Sequence, residues 1–529
     1  MILKYFSPKI RVFVAHGLKS LMCDKNHICR SCFPGRLRSL MLVTLVCAVP
    51  ALGAEDLRFR EDLIEAGFHV QQNILVASLS SGDRHVIIAG RDDNHRQHLA
   101  IYALGDTGQP VLSLQPGPQL IAYDVGRIGD TDSLFFIEPG RIMRLDVASG
   151  DISEFVRARS IYGQHRSGHI GPIDFVRDIN DDERDDLVLP DTSGYRVRLQ
   201  RADGTLGEEV VLQDSSAMTV SGGIVSFESR PLVGGNMTAD EMPDLAVWRG
   251  DTLRIYEQQR DDRFDGEPQT VVLNLGLQSE AELRSREAGF GAVNQEGLVE
   301  TRIWRIDDLN GDGLPDILTE SLLNKGVFDK ENDFRLHLGR RDGETINYIE
   351  AEDALLASSG LQYGLIATDI DGDGRKDLLV RKVRMSFARV IRALLSGNVS
   401  LQLHFYRMTD EDTFAEEANY VTGTNVRFSV SSGQVDIPAI QVADFDADGL
   451  QDLMMQTDAD SLSFQFGEPG EALFADDKIN RNVALPRNGD LVSVEDLNDD
   501  GRSDLVIRYN EADGDGQSMT VRLLLVEGN

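Results

Sequence analysis

Short apolar runs bounded by Asp, Asn or Gly recur along the chain from Leu57 onward, and Leu378-Leu379-Val380 and Leu505-Val506-Ile507 are typical. Continuous runs this short read as buried β-strands, because helices would place apolar residues three or four apart over longer stretches. Eight such runs begin close to Arg84, Asp132, Asp186, Asp244, Asp316, Asp377, Asp452 and Asp504, at intervals of about 48 to 75 residues, a period that implies an array or a propeller. A strand precedes each turn, as at 365–367 or 440–442. A third strand follows, as at 195–199 before Asp203-Gly204-Thr205 or 334–338 before Asp342-Gly343, and then a fourth, as at 210–212 or 271–273. Four short antiparallel strands repeated eight times describe radial blades. The expected fold is all-β, a β-propeller of eight four-stranded blades, with seven blades as the alternative and short helical insertions. The last repeat ends after 521–525 without a fourth strand, while Leu57-Arg58-Phe59-Arg60 alternates as a strand ahead of the first blade. Pairing the two would latch the ring and leave no long edge exposed.

The turn before the sixth run is Asp369-Ile370-Asp371-Gly372-Asp373-Gly374-Arg375-Lys376-Asp377. Oxygens at positions one, three, five and nine, with a backbone carbonyl between the last two, can surround one Ca²⁺ at about 2.3–2.6 Å. Gly374 permits the sharp turn. Asp308, Asn310, Asp312 and Asp316 repeat the pattern, as do Asp444, Asp446, Asp448 and Asp452, and Asp496, Asn498, Asp500 and Asp504, each set with glycine at position six. Asp178, Asn180, Asp182 and Asp186 keep the ligand types and lose the glycine. The segment from Asn236 to Asp244 keeps only Asp240 and Asp244 as carboxylates, and the turns before the first two runs lack the pattern. An EF-hand is excluded, since its bidentate Glu at position twelve is replaced by Val380 within a strand-like run. One acidic turn would be ordinary solvated surface, whereas the same ligand spacing repeated in the same strand context points to metal. Loops so rich in protein ligands predict a structural ion with no activated water.

These repeats resemble the FG-GAP and VCBS repeats of bacterial exported proteins and are similar to the propeller head of integrin α-subunits, over residues 57–529. The resemblance implies Ca²⁺ in the Asp/Asn-rich loops between the first two strands of a blade. The Phe-Gly motif itself is poorly kept, Gly289-Phe290-Gly291-Ala292 being nearest to it, so no subfamily follows.

Charge changes the picture of partners. The 529 residues carry 53 Lys and Arg against 87 Asp and Glu, a net charge of −34. Residues 1–54 hold eight of those bases and one acid, Asp24, so the remainder is more acidic still. Nucleic acid and anionic membranes are disfavoured as partners, and cations are favoured. Arg36 and Arg38, the apolar stretch 40–49 and the small residues up to Ala54 have the order of a secretory signal. Residues 1–54 are therefore read as a leader, with 1–35 a misassigned start or an unusually long extension, and 55–529 as a single propeller domain in the periplasm or outside the cell. No later stretch reads as a membrane span. Cys23, Cys29, Cys32 and Cys47 all lie in the leader, so calcium is expected to staple a chain without disulfides.

Two insertions depart from the minimal blade. Ser279-Glu280-Ala281-Glu282 opens a short helix with a capping-box pattern. Phe387, Val390, Ile391, Leu394 and Leu395 fall at helical spacing before Gly397, with Arg384, Arg389 and Arg392 on the polar side. This basic island is the expected contact for an acidic partner. His95, His98, His165 and His169 read as surface histidines, since neither pair carries the glutamate of a zinc protease, and no Gly-x-Ser-x-Gly elbow or phosphate-binding loop occurs. No catalytic residue stands out among so many acids. The function read from the sequence is a monomeric, non-enzymatic, calcium-binding platform for an unknown protein or glycan. The alternatives are a carbohydrate-active hydrolase or lyase and a glycan-binding lectin, the last weakened by having only Trp248 and Trp304 as tryptophan stacking platforms.

Overall fold

The computed structural model describes residues 57–80, 83–164, 170–221, 224–240, 242–260, 263–278, 299–325, 330–359, 361–383, 392, 395–429 and 434–528. The leader, the Ser279 helix, the Phe-Gly motif, His165, His169, Arg384, Arg389 and most of the 387–395 stripe lie outside the described residues.

Eight antiparallel sheets follow one another along the chain and form an eight-bladed β-propeller. Their second strands are Asp83–Arg91, Ser133–Glu138, Asp186–Asp191, Asp244–Arg249, Asp316–Asn324, Asp377–Val383, Asp452–Asp458 and Asp504–Arg508. These match the eight apolar runs, and the reason is burial on both faces. In blade 1, Val86 and Ile88 pack toward blade 8 while Ile87 and Ala89 pack toward blade 2. Alternate residues of a strand point to opposite faces, so a strand sandwiched between two neighbours must be apolar throughout. Eight apolar clusters fill the eight gaps between successive blades. Several first strands run side by side with those of the next blade, among them Leu75–Ser80 with Ala122–Gly126 and Ile440–Ala443 with Val492–Glu495, which places them around the axis.

The ring closes as expected. Arg58–Glu65 pairs antiparallel with Thr520–Glu527, from Arg58 opposite Glu527 to Glu65 opposite Thr520, and so supplies the outer strand of blade 8. Phe59 lies 5.4 Å from the Phe464 ring of blade 7, and Ile64 is sealed against Val86, Ile88 and Tyr102 of blade 1. The closing strand thus grips both neighbours. The count of eight holds and seven does not.

Strict four-strandedness fails in three blades. His69–Val70 and Leu75–Ser80 both pair with the second strand of blade 1, Gly171–Pro172 adds a parallel strand to blade 2, and Val435–Asp436 extends blade 6. Because the strands alternate in direction, the links from first to second strand and from third to fourth leave one face of the disc. The other links, and with them the ribbon Ala217–Ser221 with Ile224–Glu228, leave the opposite face. Among the described residues no helix is long and apolar enough to cross a membrane.

Two neighbours on the closing strand separate packing from pairing. Ile64 is fully buried and Leu63 is 42% exposed. Ile64→Ala should destabilise by about 2–5 kcal/mol, the range for emptying a buried aliphatic site. Leu63→Ala should stay within about 1 kcal/mol. Urea unfolding of the two variants compares them, and equal losses would mean that the strand does not seal the gap to blade 1.

Candidate metal centres

Each of the five acidic loops joins the first strand of its blade to the second, on the same face of the disc. Their turns are built from the carboxylates themselves. The first aspartate accepts the backbone N–H of the sixth residue: Asp178 from Glu183 at 2.7 Å, and Asp308, Asp369, Asp444 and Asp496 from Gly313, Gly374, Gly449 and Gly501, each at 2.9 Å. The fifth aspartate accepts the N–H of the seventh residue at 2.8–3.0 Å, from Arg184, Leu314, Arg375, Leu450 and Arg502. The fourth and sixth residues take left-handed backbone conformations in all five loops. Glycine suits that region. Glu183 and Asp181 occupy it at φ 65° and 56°, a strain that side chains with a Cβ normally avoid.

The ninth aspartate lies beneath the loop. Asp186, Asp316, Asp377, Asp452 and Asp504 begin their strands almost wholly buried, and so does Asp244 of the weaker loop. In each, one oxygen accepts the N–H of the loop's second residue and the other accepts an N–H from the end of the third strand or just beyond it. For Asp452 the donors are Phe445 and Gly467, both at 2.7 Å. For Asp377 they are Ile370 at 3.1 Å and Met408 at 2.8 Å, and for Asp504 Leu497 at 3.0 Å and Val526 at 2.7 Å. The carboxylate therefore ties three chain segments together whether or not a cation sits above it. Burial pushes Asp452 up to about 8 and Asp504 up to about 7, against the lowering pull of these N–H groups and with further upward push from the other loop carboxylates. Asp186 is raised to about 8, and Asp316 and Asp377 to about 7, for the same first cause. A cation above the loop would supply the counter-charge that keeps them ionised.

The upper carboxylates converge. In the two loops with aspartate at position three, oxygens of Asp369, Asp371 and Asp373, and of Asp444, Asp446 and Asp448, lie within 4.8 Å of one another. Where position three is asparagine, its amide nitrogen donates to the fifth aspartate: Asn180 to Asp182 at 3.0 Å, Asn310 to Asp312 at 3.3 Å and Asn498 to Asp500 at 3.2 Å. Two third-position oxygens, Asn180 Oδ1 and Asp371 Oδ1, are buried and accept no hydrogen bond. A buried acceptor without a donor is costly unless something electropositive faces it. A hard, oxygen-preferring divalent cation fits this donor set.

Several features were not legible as site chemistry in the sequence. Gln200, which donates its N–H to Asp186 at 2.7 Å, also uses its side chain to bind the Arg127 and Asp185 carbonyls and the Gly129 N–H, tying the blade 2 turn to blade 3. Arg407 reaches across from the third strand of blade 6 to pair with Asp371 and Asp373. His98 stacks on Phe68 at 5.3 Å and bonds Asp92 at 3.3 Å. Trp304 is half-buried, with the Arg302 guanidinium 5.7 Å from its ring. Arg392, the one described member of the basic island, is exposed.

Ligand and tie can be separated by substitution. In chelator, Asp452→Asn should cost about 1–3 kcal/mol, because its amide would set an N–H against a buried backbone N–H. Asp446→Asn in chelator should cost nothing measurable, since it removes one charge from a crowd of three and breaks no tie to the blade. Thermal unfolding measures both. Equal losses would show that the two positions do not differ in role.

Residues 308–380 match the family model described as an FG-GAP-like repeat, a span that includes the loops at Asp308 and Asp369. No curated protein matches the chain. Among solved structures it is similar to an Agrocybe aegerita lectin described as recognising non-reducing terminal N-acetylglucosamine, at 13% identity and TM-score 0.39, covering 81% of this chain and 94% of that one. It is also similar to the Dos1 propeller, at 9% identity and TM-score 0.39, covering 89% and 95%. A third likeness is to the V. cholerae biofilm matrix protein Bap1, at 10% identity and TM-score 0.26, covering 89% and 92%. At these identities the likeness is one of fold.

Proposed function

We propose that this eight-bladed β-propeller, which carries an FG-GAP-like repeat over residues 308–380, is an exported, calcium-stabilised, non-enzymatic platform that binds a protein or glycan partner. The observation that carries the calcium reading is the pair of buried third-position oxygens, Asp371 Oδ1 and Asn180 Oδ1, which accept no hydrogen bond, the first of them in a loop where three carboxylates converge. A hard cation is the species whose chemistry answers both facts, relieving the repulsion and filling the orphaned acceptors. Loops that wrap the ion in protein oxygens favour a structural role over water activation. A platform role is favoured by the division of the disc: one face carries the acidic loops, and the described strand ends between which the two insertions run, Val272 to Val299 and Val383 to Asn398, lie on the other.

Calcium should raise the melting temperature of the chelator-treated protein, because a ligand bound only by the folded state stabilises it by about 2.7 kcal/mol per site at a hundred times its Kd. Chelator should reverse the gain. Identical melting curves in excess chelator and in millimolar calcium would reject the structural ion.

The partner is assigned to the basic insertion, of which Arg392 is exposed. An arginine cluster on an acidic protein steers acidic surfaces toward itself. Exchanging Arg384, Arg389 and Arg392 for glutamine should leave melting unchanged and weaken capture of the partner from envelope extract in a salt-dependent way. Capture that survives the triple exchange at low salt would remove the insertion from the binding surface.

A further inference from the structure

We propose that Arg407 is a built-in competitor for the cation of the blade 6 loop, so that the blade 7 loop fills at lower cation concentration. This rests on the reading of the loops as cation sites. The two loops share one carboxylate triad, Asp369, Asp371 and Asp373 in blade 6 and Asp444, Asp446 and Asp448 in blade 7. Their surroundings differ at two equivalent positions. The residue just before the second N–H donor to the buried aspartate is Arg407 in blade 6, and it is Leu199, Glu257, Leu338, Phe466 and Leu525 in the other five blades that carry this tie. The seventh loop residue is Arg375 in blade 6 and Leu450 in blade 7.

Both arginines act on the triad. Arg407 Nη2 donates to Asp373 Oδ2 at 2.7 Å while its Nε is bonded to Asp371 Oδ2. Arg375 Nη2 donates to Asp373 Oδ2 and to Asp410 Oδ1, each at 2.6 Å. The Asp371 side chain is 1% exposed and keeps Oδ1 without a hydrogen-bond donor, so the cation position is present but shares its carboxylates with a guanidinium. Among the described residues no lysine or arginine forms an ion pair with Asp444, Asp446 or Asp448, and the Arg502 charge reaches Asp446 only from the neighbouring loop, without a hydrogen bond to it. A cation entering blade 6 must either displace Arg407 from two charge-assisted hydrogen bonds or sit beside its positive charge. Either route lowers affinity. In blade 7 no guanidinium has to be displaced from the triad, and the nearest stated positive charge, Arg502, belongs to the loop of the next blade.

The test is carbodiimide footprinting of carboxylates on the full chain, read by peptide mass spectrometry so that the two loops report separately during a calcium titration from chelator. In the natural sequence the Asp444–Asp448 peptide should be protected at about tenfold lower calcium than the Asp369–Asp373 peptide, the ratio that corresponds to one charge-assisted contact. Arg407→Gln should bring the blade 6 midpoint down by about tenfold and leave that of blade 7 in place. Arg407→Lys, which keeps the charge without the planar fork, should move it less. A shared midpoint in the natural sequence, or a blade 6 midpoint that neither variant moves, would overturn the proposal while leaving calcium binding intact. Failure of calcium to protect either loop would overturn the cation reading and this inference together.

Discussion

The loop face of this propeller hangs on a buried carboxylate that accepts one backbone N–H on each oxygen. The arrangement occurs in six blades, at Asp186, Asp244, Asp316, Asp377, Asp452 and Asp504. Each such aspartate begins a strand whose next residues are packed between two neighbouring blades, so its position is set by the apolar core. Through its two oxygens it then fixes the start of the loop and the end of the third strand. The loop's shape is thereby inherited from the ring. The second strands of blades 1 and 2 carry no such aspartate, the first opening on an exposed Asp83 and the second on a buried Ser133, and the blade 2 turn is held instead by Gln200 of the next blade.

This constraint creates the electrostatic problem that the site resolves. A carboxylate held in the core is pushed toward its neutral form, and above it the loop stacks two or three more acids. Blade 6 answers part of that repulsion with Arg407 and Arg375, blade 3 with Arg184 on Asp182, and blade 8 more weakly with Arg502, 3.6 Å from Asp500. In blade 7 no described lysine or arginine forms an ion pair with the triad, and Asp446 is raised to about 6 by burial and by Asp448 and Asp444 against the opposing pull of Arg502 in the next loop. The blades thus share one backbone design and differ in how much charge is left for a cation to neutralise.

Most of the ring was legible in the sequence because its strands are buried on both faces and leave continuous apolar runs. The closing strand was legible because Leu57, Phe59 and the missing fourth strand of the last repeat fit each other. Other parts left too little pattern. His69–Val70 and Gly171–Pro172 are two-residue strands, and the three-segment role of the ninth aspartate is invisible in a spacing that equally suits a ligand. One signal for that role was present: an aspartate standing directly before a wholly apolar run cannot face bulk water. Arg407 comes from 34 to 36 residues away in the chain, so only the folded blade brings it to the loop.

The central claim is that these loops hold calcium in the native protein, and the most direct measurement counts it. Full-length protein treated with chelator, dialysed against calcium and analysed by elemental mass spectrometry should retain about five ions per chain, one for each complete loop, and release them to chelator. Protein that comes to equilibrium in millimolar calcium with no retained ion would contradict the claim, leaving the acidic turns as fittings of the propeller alone.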